Sequence, residues 1–333
     1  MWVGKEAFCD YRTIQEAVDE LERRPSQEHE TIYILAGVYE ELVRIYRSDL
    51  TIAGVGDVTI TNNRYARQLD ETGEEQGTFA TPTLFLNGSR LVIENLTVAN
   101  TAGQGPEIGQ ALALYAHCDE TVFRNCTFKG HQDTIFTGPL PAANKHGFAF
   151  GGIPLRERHE QCRQLYSRCY IEGTVDFIFG GATAYFEHCE IRSLRSTHDG
   201  VGYVTAASTP ENQAYGYVFE ECLLTASDDV SGIYLGRPWR SYAATAFVNC
   251  RLGAHIHPAG WDNWGNPANE ATVRYSEYAA SGIGELRGQR VPWAYVAGAG
   301  EAAPDKAQVF AGTEFYMTGW SDQTNNMNLS ASK

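Results

Sequence analysis

The hexapeptide Phe186-Glu187-His188-Cys189-Glu190-Ile191 has four counterparts in the chain: Phe123-x-x-Cys126-x-Phe128, Tyr166-x-x-Cys169-x-Ile171, Phe219-x-x-Cys222-x-Leu224 and Phe247-x-x-Cys250-x-Leu252. Ile93-x-x-Leu96-x-Val98 keeps the frame with leucine in the cysteine place. Recurrence at roughly 20 to 40 residues marks a stacked repeat whose equivalent side chains pile up inside a solenoid. A free cysteine serves there as a small buried hydrophobe, so these thiols read as reduced and structural rather than as a disulfide set. Cys9, Cys118 and Cys162 lie outside the frame and carry no assignment.

Outward from that frame, short β-type runs dominate: Thr31 to Leu35, Leu42 to Tyr46, Leu50 to Ala53, Val58 to Thr61, Thr83 to Leu86 and Leu91 to Val98. Turn residues such as Gly54-Val55-Gly56-Asp57 and Asn87-Gly88 separate them. No alternation of strands with long helices occurs, which removes the doubly wound and TIM-barrel classes and leaves a sandwich, a barrel or a β-helix. The cysteine frame selects an all-β, right-handed parallel β-helix. At its start, Thr13-Ile14-Gln15-Glu16 has capping-box spacing, and Ile14, Ala17, Val18 and Leu21 share one helical face before Arg23-Arg24-Pro25. This predicts a short helix over 14–24 that caps the exposed first rung. The 333 residues are expected to form one domain, residues 1–333. Residues 139–161 are expected to be an inserted loop near the cleft. From about 265 to 333 an irregular segment packs on the solenoid, with a helix expected within Glu301 to Trp320.

The balance of 26 Lys+Arg against 41 Asp+Glu, a formal charge of -15, argues against nucleic acid and anionic membranes as partners. No apolar run is long enough to span a bilayer, and Met1-Trp2-Val3-Gly4-Lys5 lacks the order of a signal peptide. As it stands the chain reads as cytoplasmic, and as secreted if an export signal has been removed. A monomer is expected.

Within Gly173-Thr174-Val175-Asp176-Phe177-Ile178-Phe179-Gly180, Asp176 is the anomaly, because a carboxylate among Val, Phe and Ile loses hydration and calls for a cation or donor. Arg237 in Leu235-Gly236-Arg237-Pro238-Trp239 is a candidate. Asp133, in Gly130-His131-Gln132-Asp133-Thr134-Ile135-Phe136, is a second carboxylate in a strand-like setting. Two carboxylates, an arginine and a tryptophan suggest a carbohydrate-active site. Taken singly, each aspartate is more simply a turn residue bonded to backbone amides.

Taken together and in order, these motifs resemble the pectin methylesterase (pectinesterase) family, carbohydrate esterases with a right-handed parallel β-helix. Thr13-Ile14-Gln15-Glu16-Ala17-Val18, Gly37-Val38-Tyr39-Glu40-Glu41, Gly109-Gln110-Ala111-Leu112-Ala113-Leu114, Gly260-Trp261-x-x-Trp264 and Tyr275-x-Glu277-Tyr278 extend the resemblance over most of the chain. The resemblance implies a hydrolase that demethylates galacturonate esters of pectin or of methylated oligogalacturonides and releases methanol, with no cofactor. By the same resemblance Asp176 is the nucleophile, Asp133 the general acid and then base, and Arg237 the group that orients Asp176. Gln110 and Gln132 bind the oxyanion, and Trp239 and Trp261 stack on sugar rings. Thr78, Phe79 and Phe179 are further substrate contacts. The scheme demands unequal pKa values: the arginine is expected to lower Asp176, while burial and a neighbouring charge raise Asp133.

The chain departs from the family pattern in three places. His131 stands where an aromatic such as Tyr is usual, Ala207 stands where glutamine is common and is expected to change that rung's cleft contacts, and the 139–161 connection is longer than usual. His255-x-His257 lacks a third ligand and reads as surface or turn histidines, so no metal is expected. Two rival readings are glycosidic cleavage by the carboxylate pair and a non-catalytic carbohydrate-binding or thioesterase-like relative that keeps the scaffold. The glutamine pair speaks against the first, and the complete Gln, Asp and Arg set against the second.

Overall fold

A computed structural model describes residues 1–24, 28–144, 147–197, 200–282, 288–298 and 300–317. The chain winds as a parallel β-helix. One face is a seven-stranded parallel sheet ordered Tyr234–Gly236, Tyr203–Ala207, Ile178–Gly180, Ile135–Thr137, Leu114–Ala116, Leu84–Leu86 and Val43–Ile45. The other two faces carry rungs such as Thr121–Arg124 and Thr127–Lys129, Arg163–Ser167 and Tyr170–Gly173, Thr183–Glu187 and Glu190–Ser193, each paired in parallel with the next turn.

The cysteine frame spans the corner between those two faces. Its aromatic member is the penultimate residue of one strand, its last member is the second residue of the next, and the residue just before the cysteine turns the chain in the left-handed region: Asn125, Arg168, His188, Glu221 and Asn249 have φ between 51° and 53°. Inside, Phe123, Tyr166, Phe186, Phe219 and Phe247 form a continuous stack with centroid spacings of 4.5, 4.5, 4.4 and 4.7 Å. Each thiol donates to a backbone carbonyl of the preceding turn; Cys189 reaches Tyr166 O at 3.4 Å and Cys250 reaches Phe219 O at 3.3 Å. All eight cysteines are free.

Helix Ile14–Arg23 closes the first turn through buried Ile14, Ala17, Val18 and Leu21, with a reciprocal Thr13/Glu16 capping box satisfying its first amides. At the other end the chain is more regular than its sequence implies. Arg274–Tyr278 pairs in parallel with Ala244–Val248, and Tyr295–Val296 adds beyond it. Alternation puts Tyr275 and Glu277 inward, and Glu277 is acceptable there because Arg290 forms a buried ion pair with it at 2.9 Å. Helix Lys306–Val309 and the turn Phe315–Met317 pack outside the solenoid, with Phe310 against Tyr185. Within the segment expected to be irregular, residues 283–287, 299 and 318–333 lie outside the described residues, as do Pro25, just beyond the expected cap helix 14–24, and 145–146 in the inserted loop.

Candidate active site

The outward side of the seven-stranded sheet carries the site. In Leu84–Leu86, Leu114–Ala116, Ile135–Thr137 and Ile178–Gly180 the central residue points away from the main core, and register aligns Phe85, Tyr115, Phe136 and Phe179 with Ala206 of the next strand as an external ladder. Just before two of these strands the chain bends through Asp133 (φ 63°) and Asp176 (φ 51°), conformations that aspartate tolerates better than most side chains. The bends project both carboxyls beside the ladder instead of into the solenoid. Gly180 closes the Asp176 segment because a Cβ there would lie 1.9 Å from Thr137 O of the preceding turn.

Asp176 receives two parallel bonds from Arg237, Nε to Oδ1 at 2.8 Å and Nη2 to Oδ2 at 2.7 Å. The guanidinium itself is held between the rings of Tyr203 and Trp264, each centroid 3.8 Å from Cζ. Asp176 is 6% exposed and Asp133 9%. Burial, with the charge of Asp176 added, raises Asp133 well above the usual carboxylate range, and Arg237 opposes this only in part. Asp176 is also raised, because burial outweighs the bonds and charge of Arg237. The expectation that arginine alone would bring Asp176 below its ordinary value is therefore corrected: its lowering effect is present and desolvation exceeds it. The two carboxyls nonetheless differ in kind, since Asp176 is bonded to a cation and Asp133 is not.

Two adjoining cavities of about 530 and 410 Å³ form the cleft, and Gln110, Gln132 and Arg237 line both. Asp133, Asp176, Thr78, Phe79, Phe179 and Trp239 line the smaller one. Thr78 and Phe79 come from a 3-10 turn, Thr78–Ala80, that ends the polar excursion before Leu84–Leu86. Thus nine of the ten residues singled out in the sequence converge.

Trp261 does not. It is 1% exposed, stacks on Tyr275 at 4.2 Å and donates Nε1–H to Glu277 at 3.2 Å. A ring enclosed in this way cannot stack on a sugar, and Trp264, three residues on, lines the cleft in its place. The backbone bridge between Gly236 and Trp261 makes Trp261 continue the inward row of Ile135, Ile178 and Thr205, whereas Trp264 sits in a left-handed turn (φ 60°) that swings it out. Ala207 likewise belongs to the inner core, fully buried, and Ala206 faces the cleft. Tyr203 was identifiable only as a strand residue; its contact with Arg237 depends on the stacking of two turns.

The inserted segment meets the site as well. Phe150 lies 5.3 Å from Phe79 and 5.8 Å from Trp239, centroid to centroid. Among the described residues no group of His, Cys, Asp and Glu has the arrangement of a metal site.

The pectinesterase family model matches residues 1–140 and 158–319, and the chain belongs to that family. Pectinesterase 31 of Arabidopsis thaliana is 32% identical over 300 residues, covering 87% of this chain and 85% of the relative. The chain spans about half the length of several other curated relatives, among them plant proteins named as combined pectinesterases and pectinesterase inhibitors. Among solved structures, pectin methylesterase from carrot superposes with a TM-score of 0.74 at 29% identity, covering 89% of this chain and 88% of that one. A pectin methylesterase in complex with a hexasaccharide gives 0.74 at 26% identity, covering 94% and 97%.

Proposed function

We propose that this chain hydrolyses the methyl esters of galacturonate in pectin or in methylated oligogalacturonides, releasing methanol. The observation that carries the reading is Asp176 held by two N–H groups of Arg237 at the floor of a cleft that also holds a second carboxyl with a raised pKa. Family membership and a relative solved with a hexasaccharide support an oligosaccharide occupant for that cleft.

Asp176 attacks the C6 carbonyl carbon, and the carbonyl electron pair moves onto oxygen, where the amide N–H groups of Gln110 and Gln132 stabilise it. Asp133 in its acid form delivers its proton to the methoxy oxygen as that C–O bond breaks, methanol departs, and an acyl-enzyme anhydride remains. The Asp133 carboxylate then takes a proton from water, the hydroxide attacks the acyl carbon, and Asp176 leaves as carboxylate. Phe79, Phe179, Trp239 and Trp264 offer apolar faces to the sugar rings and Thr78 a hydroxyl. Burial and the charge of Asp176 favour the acid form of Asp133, while the two bonds from Arg237 favour the ionised form of Asp176.

The test measures methanol and new reducing or unsaturated ends in parallel on methylated pectin and oligogalacturonides. Methanol without new ends is expected, and new ends without methanol would assign the carboxylates to backbone cleavage. Asp176→Asn is expected to lower turnover on the order of a thousandfold or more with an unchanged circular dichroism spectrum. Turnover equal to wild type would remove the nucleophile assignment.

A further inference from the structure

The family model leaves residues 141–157 unmatched, and of these Asn144, Ala149, Phe150 and Gly151 line the smaller cavity of the cleft. The cleft crosses the sheet along the strand direction. Its larger cavity is lined by residues that precede the strands, such as Gly109, Thr174 and Val201, and its smaller one reaches residues that follow Asp133 and Asp176. Phe150, which lines the smaller cavity, touches Phe79 on one wall and Trp239 on the other, and Phe179 lies 6.2 Å from Phe79 and 5.6 Å from Trp239, so the four rings close a ring across the cleft. A chain of pyranose rings running through the site meets this ring as an end wall.

The wall is fastened on both sides. Asn87, fully buried, accepts from the backbone N–H of Arg156 at 2.7 Å and of Glu157 at 3.0 Å, and donates to Glu157 O at 2.7 Å. Tyr46 Oη donates to Pro154 O at 3.0 Å, and Ile153 N donates to Phe79 O at 3.1 Å. Across the cleft, Arg240 Nη2 donates to Ala143 O at 2.9 Å. Ile153 and Leu155 pack on the aromatic ladder itself. The larger cavity is spanned more lightly at its far side, where Gln104 bonds to Arg195 O at 3.0 Å and to Thr197 N at 3.1 Å.

We infer that the insertion makes the site end-acting: it takes short methylated oligogalacturonides and the termini of longer chains, and excludes internal residues of polymeric pectin. This rests on the esterase reading above. A terminal sugar sits against Phe150, and a continuing polymer has no exit on that side.

The experiment uses the full chain and measures initial methanol release, per ester group, from defined short methylated oligogalacturonides, from intact highly methylated pectin, and from the same pectin cut to fragments with about ten times as many ends. Release from the short substrates is expected to exceed that from intact polymer at least tenfold, and cutting is expected to raise the polymer rate about tenfold. Phe150→Ala is expected to raise the polymer-to-oligomer ratio severalfold and to weaken the dependence on ends. Equal rates on oligomer and intact pectin would overturn the inference while leaving the esterase reading in place. Discrimination that Phe150→Ala leaves unchanged would overturn the assignment of the wall to the insertion. No methanol from any substrate would overturn the esterase reading instead.

Discussion

Asp133 occupies an expensive position for a carboxyl: it is buried, bent into the left-handed region, close enough to Asp176 to feel its charge, and without a bonded cation. Its folded pKa lies above the unfolded value, so its protonated form is favoured in the fold. That contribution to stability is complete below the unfolded carboxylate pKa and is lost as pH rises through the folded pKa, at about 1.4 kcal/mol for each pH unit between the two. Asp133→Asn keeps the shape and removes the ionisation. We expect this variant to match wild type in stability at low pH and to exceed it increasingly toward neutral pH, as read by denaturant unfolding across pH, while esterase activity falls. A wild-type stability that does not decline relative to Asp133→Asn on that ascent would contradict the raised pKa.

At the scale of the element, the stack from Phe123 to Phe247 and the thiols beside it join turns that have little else in common. Phe186 is central, with rings 4.5 Å below and 4.4 Å above it. Phe186→Ala removes both contacts and leaves a cavity that backbone pairing on either side prevents from collapsing, a loss of about 3–5 kcal/mol. Thermal unfolding should show a correspondingly lower Tm, with hydrogen exchange accelerated in neighbouring turns before distant ones, because each turn of a solenoid contacts chiefly its neighbours. Uniform acceleration from end to end would argue against that locality. The stack from Phe123 to Phe247 was legible in the sequence because its members share one frame around a cysteine. The corner geometry was not, since Asn125, Arg168, His188, Glu221 and Asn249 share a conformation but span four residue types.

For the whole molecule, a formal charge of -15 sets the long-range field. Methylated galacturonate is neutral at C6 and its product is anionic, so the surrounding field disfavours product beyond the reach of Arg237. Raising ionic strength from about 0.01 to 0.15 M shortens the screening length from about 30 to 8 Å. Inhibition of methanol release by de-esterified oligogalacturonate is therefore expected to strengthen over that range, and inhibition that weakens would place the dominant field at local cations instead. Among the described residues no helix is long and apolar enough to cross a membrane.

By itself the sequence determined what depends on pattern. The repeated frame specified a stacked β solenoid, the Thr13 capping box its first helix, and short motifs singled out Gln110, Gln132, Asp133, Asp176 and Arg237, which the fold brings to one cleft. The tertiary structure alone decided what depends on turns meeting across the fold. Trp261 or Trp264 at the sugar face was a question of which residue continues a backbone ladder and which leaves it through a left-handed turn. Tyr203 against Arg237 and Phe150 between Phe79 and Trp239 join residues 34, 71 and 89 positions apart, respectively. No local periodicity records such contacts, since in a solenoid the distance between two side chains is set by how many rungs and loops separate them in space.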